Sequence, residues 1–354
     1  LNRRWSAFKY FPLSAKSQEK MILKKIVLTG SHLTPALALK AKLQAHGWQI
    51  IELKIPSPKF SRHQPILASL SLIKLPLSFF HACQKLSGIK PRLVVSFGGH
   101  AAFPACLAAK FLNLPLIIHE QTFGAGLTSR LTALMADKVA ISWPSSRPYF
   151  PQKKVVLTGN PIRRELLAVK PNKRKSIYIT GGHQGSRIIN ATVAEIIPQL
   201  LKNFTVYHQF GLLQSSLAFK KQRQFTHPRY ILKRWFGAPE LAKILAGADL
   251  VISRSGVNTI TELAYLQLPA VLIPLTTAQK NEQITNAKFL ESLGLAIILP
   301  QSELNSARLL QSIVTALKRL PRQTSLAFDR GLIRSAADNL YQLIESVIHE
   351  TNQH

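Results

Sequence analysis

Two loops carry most of the chemistry this sequence offers. The first, Gly181-Gly182-His183-Gln184-Gly185-Ser186, follows an apolar run and opens a helical pattern. A loop so placed can cradle phosphate with backbone N–H groups and a helix dipole of about half a charge. It is neither a GxGxxG fingerprint nor a P-loop with its Lys-Ser/Thr, and a glycine pair after a strand is as often a plain tight turn. The second, Ser253-Arg254-Ser255-Gly256-Val257-Asn258-Thr259-Ile260-Thr261-Glu262, also follows an apolar run but sets small hydroxyl residues ahead of a carboxylate. Small residues let a diphosphate approach. A helix over Thr259 to Leu266 would place Glu262 in its first turn, where it complements the dipole and can accept from vicinal ribose hydroxyls. The alternative is that Glu262 only caps the helix. No histidine has metal-ligand spacing, no Asp-x-Asp pair is present, and Cys83 and Cys106 belong to no CxxC, so neither a metal nor another cofactor is expected.

The elements that must hold these loops alternate along the chain. Lys24 to Thr29 reads as a strand, Pro35 to His46 as a helix closed by Gly47, and Trp48 to Leu53, Arg92 to Ser96 and Leu116 to His119 as further strands. The pattern restarts with a strand at Ser176 to Thr180 and a helix at Ile188 to Leu201. Strands follow at Thr205 to Gln209, Leu250 to Ser253, Ala270 to Ile273 and Ala296 to Leu299. Alternation of this kind predicts an α/β chain with parallel sheets and helices on both faces. At 354 residues the chain exceeds what one core usually sustains. The expected division is a tail over 1–20 with Met21 as the functional start, one doubly wound Rossmann-like domain over 21–163 and a second over 164–327. Val155 to Arg164 and the basic stretch Pro171 to Lys175 read as the crossing between them.

Charge speaks about partners. Forty-six Lys and Arg against sixteen Asp and Glu give a formal charge of +30, which suits a polyanionic partner. Nucleic acid is not expected, because no RNP, helix-turn-helix or zinc-finger pattern accompanies the charge. An anionic membrane surface is expected, each nearby cation contributing roughly 1 kcal/mol. Pro65 to Leu86 brings Ile66, Leu67, Leu70, Leu77, Phe79 and Phe80 together with Lys74, Lys85 and nearby Arg62. That is an apolar anchor with basic flanks, or else a core helix broken at Pro76. Lys74 and Pro76 interrupt it too much for a spanning helix. Two cysteines make no disulfide framework, and a reducing cytoplasm fits them.

Ser253 to Glu262, with Ala248-Asp249 before it and Pro269-Ala270-Val271-Leu272-Ile273-Pro274 after it, closely resembles the donor-site region of the MurG family of glycosyltransferases. Further matches keep the family's order: Ser96-Phe97-Gly98-Gly99-His100, His119-Glu120-Gln121 with Gly126-Leu127-Thr128, Gly159-Asn160-Pro161-Ile162-Arg163, and Gln283 with Asn286-Ala287. The resemblance spans about 24–340. It implies a GT-B fold, with two Rossmann-like domains facing each other and a last helix, about 328–348, crossing back to the first. It also implies inverting transfer of N-acetylglucosamine from UDP-N-acetylglucosamine to lipid I, the lipid-linked muramoyl acceptor, forming lipid II in peptidoglycan synthesis. The implied place of work is peripheral, on the cytoplasmic face of the cell membrane.

By the same resemblance Glu262 binds the ribose, Ser255, Gly256, Val257, Asn258, Thr259, Ile260 and Thr261 the diphosphate, and Gln283 and Asn286 the sugar hydroxyls. Arg163 lies near the domain junction and Phe236 near the uracil. Thr29, Gly30, Ser31, Thr122 and His183 complete the donor set, while Gly98, Gly99, His100, His119, Glu120 and Gln121 form the acceptor loops. His32 matches the loop histidine that would act as base or orient the acceptor's diphosphate, and His119 is a second candidate. The chain departs from the family where Val27-Leu28 replace a glycine pair, Ser31 another glycine, Phe103 a glycine, His183 a serine and Thr122 an asparagine. These changes leave room for another lipid acceptor, for a non-catalytic membrane-associated UDP-sugar-binding protein, or for an epimerase on the same fold.

Overall fold

The computed structural model describes residues 24–30, 33–55, 65–170, 172, 174–276, 281–321 and 328–353. Its first half contains β1 (Lys25–Thr29), α1 (Leu33–Ala45), β2 (Gln49–Leu53), α2 (Pro65–Ile89), β3 (Leu93–Ser96) and α3 (Phe103–Phe111). It continues with β4 (Leu116–Glu120), α4 (Leu127–Met135), β5 (Lys138–Ile141), β6 (Val155–Leu157) and the single turn α5 (Arg164–Leu167). The second half holds β7 (Ser176–Thr180), α6 (Arg187–Leu201), β8 (Thr205–Gln209), α7 (Ser216–Arg223), β9 (Tyr230–Lys233), α8 (Ala238–Gly247) and β10 (Ala248–Ser253). It closes with α9 (Val257–Leu266), β11 (Ala270–Leu272), α10 (Glu282–Ser292), β12 (Ala296–Ile298), α11 (Ser306–Arg319) and α12 (Arg330–Thr351).

The strands form two six-stranded sheets, ordered β2-β1-β3-β4-β5-β6 and β12-β11-β10-β7-β8-β9. Every pairing in both is parallel. Buried apolar runs such as Leu93–Ser96 and Ser176–Thr180 suit strands covered by helices on both faces. In each sheet the first strand lies between two later ones: β1 between β2 and β3, β7 between β10 and β8. The chain reverses its winding at those points, and the crevices that open there at the carboxyl edge are where α/β sheets bind ligands.

The last helix joins the halves. Ile333 packs with the core of the second sheet, while Leu340, Leu343, Ile344, Val347 and Ile348 pack with Ile26, Leu39 and Val95 of the first. Asn339 Nδ2 donates to the Thr158 carbonyl at 3.1 Å. Gly159 admits the helix, since a Cβ there would come within 2.6 Å of the Leu332 carbonyl oxygen, and its φ of +84° suits glycine.

Several expectations change. Strands β5 and β9 and the short β6, whose residues read as a crossing, complete the sheets. The strand read over Lys24 to Thr29 forms as β1, with Val27 and Leu28 its buried third and fourth residues paired with Val94 and Val95, so where the family has its first loop glycines this chain has sheet core. Pro76 does not break α2, which runs unbroken through it. The lost hydrogen bond is outweighed by burial of Ala82 and Leu86, with Phe79 and Cys83 half-buried beside them, against α3 and the sheet. The opposite face leaves Leu77 and Phe80 73% and 67% exposed, so α2 is core on one side and an apolar surface on the other. The side chains of 65–74, with Ile66, Leu67, Leu70 and Lys74, lie outside the described residues, as do Arg62 and the tail over 1–20. Among the described residues no helix is long and apolar enough to cross a membrane.

Candidate active site

Because β7 and β10 are neighbours, the two loops singled out in the sequence meet at one crevice. Ser186 caps α6 through a hydrogen bond from Ile189 N–H. Gly185 lies so close to the next loop that a Cβ would approach the Phe210 carbonyl oxygen to 2.3 Å. Arg254 stitches the two loops together: its Nη2 donates to Ser186 Oγ at 2.9 Å and to Gln301 Oε1 at 2.6 Å, its Nη1 to the Ile273 carbonyl at 3.0 Å. Burial lowers the Arg254 pKa.

Helix α9 starts at Val257, directly after the extended Gly256, two residues earlier than expected. Its first N–H groups have no intrahelical acceptors and point out of the helix start, the arrangement that binds anions. The side chains divide. Ser255, Val257, Ile260 and Thr261 are buried, whereas Asn258 and Thr259 are partly exposed. Ser255 Oγ donates to the Gln283 carbonyl at 2.7 Å and Thr261 Oγ1 to the Val257 carbonyl at 2.8 Å, so both hydroxyls serve the protein. Asn160 Nδ2, from the crossing segment, donates to Asn258 Oδ1 and Thr261 Oγ1.

Glu262 consequently sits in the second turn of α9, too far along to cap it. Arg163 Nη1 donates to its Oε2 at 3.0 Å, while its Oε1 is buried without a hydrogen-bond partner. Burial pushes the carboxyl up to about 7, with Arg163 pulling the other way. Asn286 is fully buried, its Nδ2 donating to the Ser255 carbonyl and its Oδ1 left without a partner. Gln283 Oε1 accepts from Leu275 N–H at 3.0 Å and so orders the turn after β11. The Phe236 ring is not a ligand surface, being 1% exposed and edge-on to Tyr178 and Tyr207 in the core. Its neighbour Trp235 is at the surface, edge-on to the exposed His183 at 5.2 Å.

The first sheet borders a wide cleft. This cleft of about 850 Å3 is lined by Gly98, Gly99 and His100 after β3, by Glu120 at the end of β4 with Gln121 and Thr122 after it, and by Glu282, Thr285 and Asn286 of α10 from the second half. Gly30 lets the β1 and β3 loops touch, since a Cβ would come within 2.9 Å of the Gly98 carbonyl oxygen. Thr29 is buried at the end of β1, and its hydroxyl donates to the Leu53 carbonyl at 3.0 Å. Ser31 and His32 lie outside the described residues. His119 is buried with Nε2 3.1 Å from the Gly159 carbonyl oxygen, which ties β4 to the crossing segment. Gln121 Nε2 donates to the Phe97 carbonyl.

Glu120 Oε1 accepts from Thr122 N–H at 3.0 Å and Thr122 Oγ1 at 2.8 Å, which gives the threonine a definite task. Burial raises the Glu120 pKa against these bonds. Glu282 is raised by burial and then by the charge of Glu120. This carboxylate of the opposite wall was not singled out in the sequence, where nothing relates it to Glu120. Among the described residues no three His, Cys, Asp or Glu side chains are grouped to hold a metal ion.

A helix start with open N–H groups, a buried carboxylate with a spare oxygen and a cleft shared by two doubly wound halves fit a nucleotide-sugar glycosyltransferase of the two-domain class. Residues 54–141 match the glycosyltransferase family 28 N-terminal domain and 176–332 the glycosyltransferase family 28 C-terminal domain. The chain belongs to glycosyltransferase family 28, and within it to the MurG group. It is 36% identical over 327 residues to the UDP-N-acetylglucosamine–N-acetylmuramyl-(pentapeptide) pyrophosphoryl-undecaprenol N-acetylglucosamine transferase of Lachnoclostridium phytofermentans, covering 82% of this chain and 90% of the relative. The crystal structure of Acinetobacter baumannii MurG superposes with a TM-score of 0.61 at 26% identity, over 94% of this chain and all of that one. A UDP-GlcNAc 2-epimerase from Neisseria meningitidis has a TM-score of 0.59 at 15% identity, over 91% of this chain and all of that one, a likeness of fold alone.

Proposed function

We infer that this chain transfers N-acetylglucosamine from UDP-N-acetylglucosamine to the muramoyl sugar of lipid I, with inversion at the anomeric carbon. The observation that carries the donor assignment is the spare Oε1 of Glu262 one turn beyond the open start of α9. A ribose hydroxyl donating to Oε1 removes the cost of a buried unpaired acceptor. The diphosphate then lies on the N–H groups of Val257, Asn258 and Thr259. Those donors stabilise the charge that develops as UDP leaves, so departure needs no metal. Gln283 and Asn286 meet the sugar.

The acceptor enters the cleft between the sheets. Its attacking hydroxyl gives up a proton to His32, while Glu120 and Glu282 accept hydrogen bonds from its sugar hydroxyls. Leu77 and Phe80 of α2, Phe111 and the row Leu127, Leu131 and Leu134 of α4 are exposed near Lys110 and Arg130. They seat the chain peripherally on the anionic cytoplasmic face of the membrane, where the acceptor resides. UDP release from UDP-N-acetylglucosamine, measured with and without a lipid I analogue in anionic bicelles, tests the reading. Acceptor-dependent release with a disaccharide product supports it; release without acceptor, or none with it, overturns it.

A further inference from the structure

The second half of the molecule carries an apolar surface that donor and acceptor binding leave unused. Leu212 and Leu213, in the loop after β8, and Leu217, in α7, are 43%, 70% and 77% exposed, and none of the eight residues of α7 is buried. The surface is held firmly. Ser215 caps α7, and Arg234 donates to the Gln214 carbonyl and to Ser216 Oγ, both at 3.1 Å, with its guanidinium 4.6 Å from the centre of the Phe219 ring. It also belongs to the rim of the donor crevice, because Leu212 N–H donates to the His183 carbonyl at 3.0 Å and Gln214 Nε2 to the Gln184 carbonyl at 3.1 Å. Trp235 extends it through its contact with His183.

Its charge is one-sided. From Ile196 to Pro239 there are seven Lys and Arg and no Asp or Glu. Lys220 and Lys221 lie one helical turn beyond Leu217 and so share its side of α7, with Arg223 close behind. Among the described residues none of these three forms an ion pair. Exposed aliphatic side chains beside unpaired cations fit a surface that accepts hydrocarbon at one depth and supplies negative charge just above it. A single-stranded nucleic acid would instead call for a row of aromatic rings to stack its bases, and here the most exposed projections are Leu213 and Leu217, at 70% and 77%, with Trp235 and Phe225 less exposed at 36% and 40%.

We propose that this Leu212–Arg223 surface docks on an anionic lipid bilayer as a second membrane contact, on the donor-binding half and separate from that of α2. The proposal rests on the membrane-associated reading given above and adds a consequence to it. With both halves held to the lipid, the donor loop at His183–Gly185 has a fixed height above the bilayer, and the crevice stays facing an acceptor that is itself anchored there.

The test is co-sedimentation of the full chain with phosphatidylglycerol-containing vesicles and with purely phosphatidylcholine vesicles. It compares the unaltered protein, Leu213→Glu/Leu217→Glu, Lys220→Glu/Lys221→Glu, and Leu77→Glu/Phe80→Glu on α2. UDP-N-acetylglucosamine affinity is measured on each to report folding. The expected result is binding to anionic vesicles only, weakened about tenfold or more by each altered pair on α7 with donor affinity unchanged, and abolished when the α2 and α7 changes are combined. Unchanged binding by both α7 variants, with loss by the α2 variant, overturns the proposal and leaves the α2 contact standing. Absence of binding by the unaltered protein overturns both contacts, whatever the transferase assay shows.

Discussion

At the carboxyl edge of the second sheet the groups that face the crevice are backbone amides, small hydroxyls and one carboxylate already held by Arg163. At the carboxyl edge of the first sheet, two carboxylates from opposite walls, Glu120 and Glu282, share a wide cleft with glycine loops. Both edges come from the same winding rule, and under the proposed function the difference lies in what each has to satisfy. A diphosphate brings its own negative charge, and oriented dipoles can hold it without gripping a departing UDP as firmly as a ring of cations would. The acceptor's sugar brings hydroxyl hydrogens, for which carboxylates are the natural acceptors. Arginine is used in the donor crevice as internal bracing, as Arg254 shows with its four protein acceptors.

The most damaging way to break this comparison is to fill one crevice's backbone contact and spare the other's. Gly185→Ala places a methyl group 2.3 Å from a carbonyl oxygen at a φ of +80°. It should cost about 3 kcal/mol of stability, seen as a lowered urea midpoint, and should abolish tight donor binding. Gly30→Ala meets its neighbours at 2.9 Å and should cost less, leaving donor affinity intact while acceptor-dependent turnover falls. Equal loss of donor affinity in both variants would mean that the two edges do not work separately.

Next in size is the pair that spans the crossing segment and α9. Arg163→Ala leaves Glu262 buried without its partner and should be destabilising by about 3 kcal/mol, less whatever protonation of Glu262 recovers. Glu262→Gln keeps the shape and removes the charge, so UDP-N-acetylglucosamine affinity, followed by calorimetry, should fall about tenfold while the acceptor's KM stays put. An unchanged donor affinity would remove Glu262 from the ribose site.

The donor side was the more legible in sequence because its chemistry is local: the end of a strand, a small-residue loop and a helix start lie within ten consecutive residues, Ser253–Glu262. Three things there were not legible. That β7 and β10 are neighbours is a matter of strand order, to which residue pattern is blind. The helix start at Val257 depends on the extended backbone of Gly256 and moves Glu262 from capping distance to mid-helix. The Phe236 ring turns into the core because Tyr178 and Tyr207, on separate strands, make the pocket that takes it. On the acceptor side, the strand over Val27 and Leu28 was legible as an apolar run, and only the family comparison set these two residues against loop glycines. The relation of Glu282 to Glu120 exists only through the packing of one half against the other. The three residues of β6 lie within the segment that read as the crossing, and the four of β9 were not picked out between two helical stretches.

A smaller effect sharpens the acceptor side. The charge of Glu120 contributes to the raised pKa of Glu282, so Glu120→Gln should move Glu282 back toward the ordinary carboxylate range. Carboxyl carbon NMR across pH reads this directly. A Glu282 titration that does not move would show that the two groups titrate independently.

The smallest effect separates the roles of the Glu262 carboxylate. Its pKa is about 7 in the folded chain against 4.5 ordinarily, so between those values the folded state holds a proton that the unfolded chain has released. The contribution to stability is therefore full below about pH 4.5, declines as pH rises toward 7 and is flat above. Donor affinity should run the other way, because an ionised Oε1 is the better acceptor for a ribose hydroxyl and its share grows as pH passes about 7. Thermal melts and donor titrations at matched pH values should show two slopes of opposite sign, both absent in Glu262→Gln. If the melting slope vanishes and the affinity slope persists, Glu262 titrates as described but another group answers the ribose, and the partnerless Oε1 has only a structural meaning.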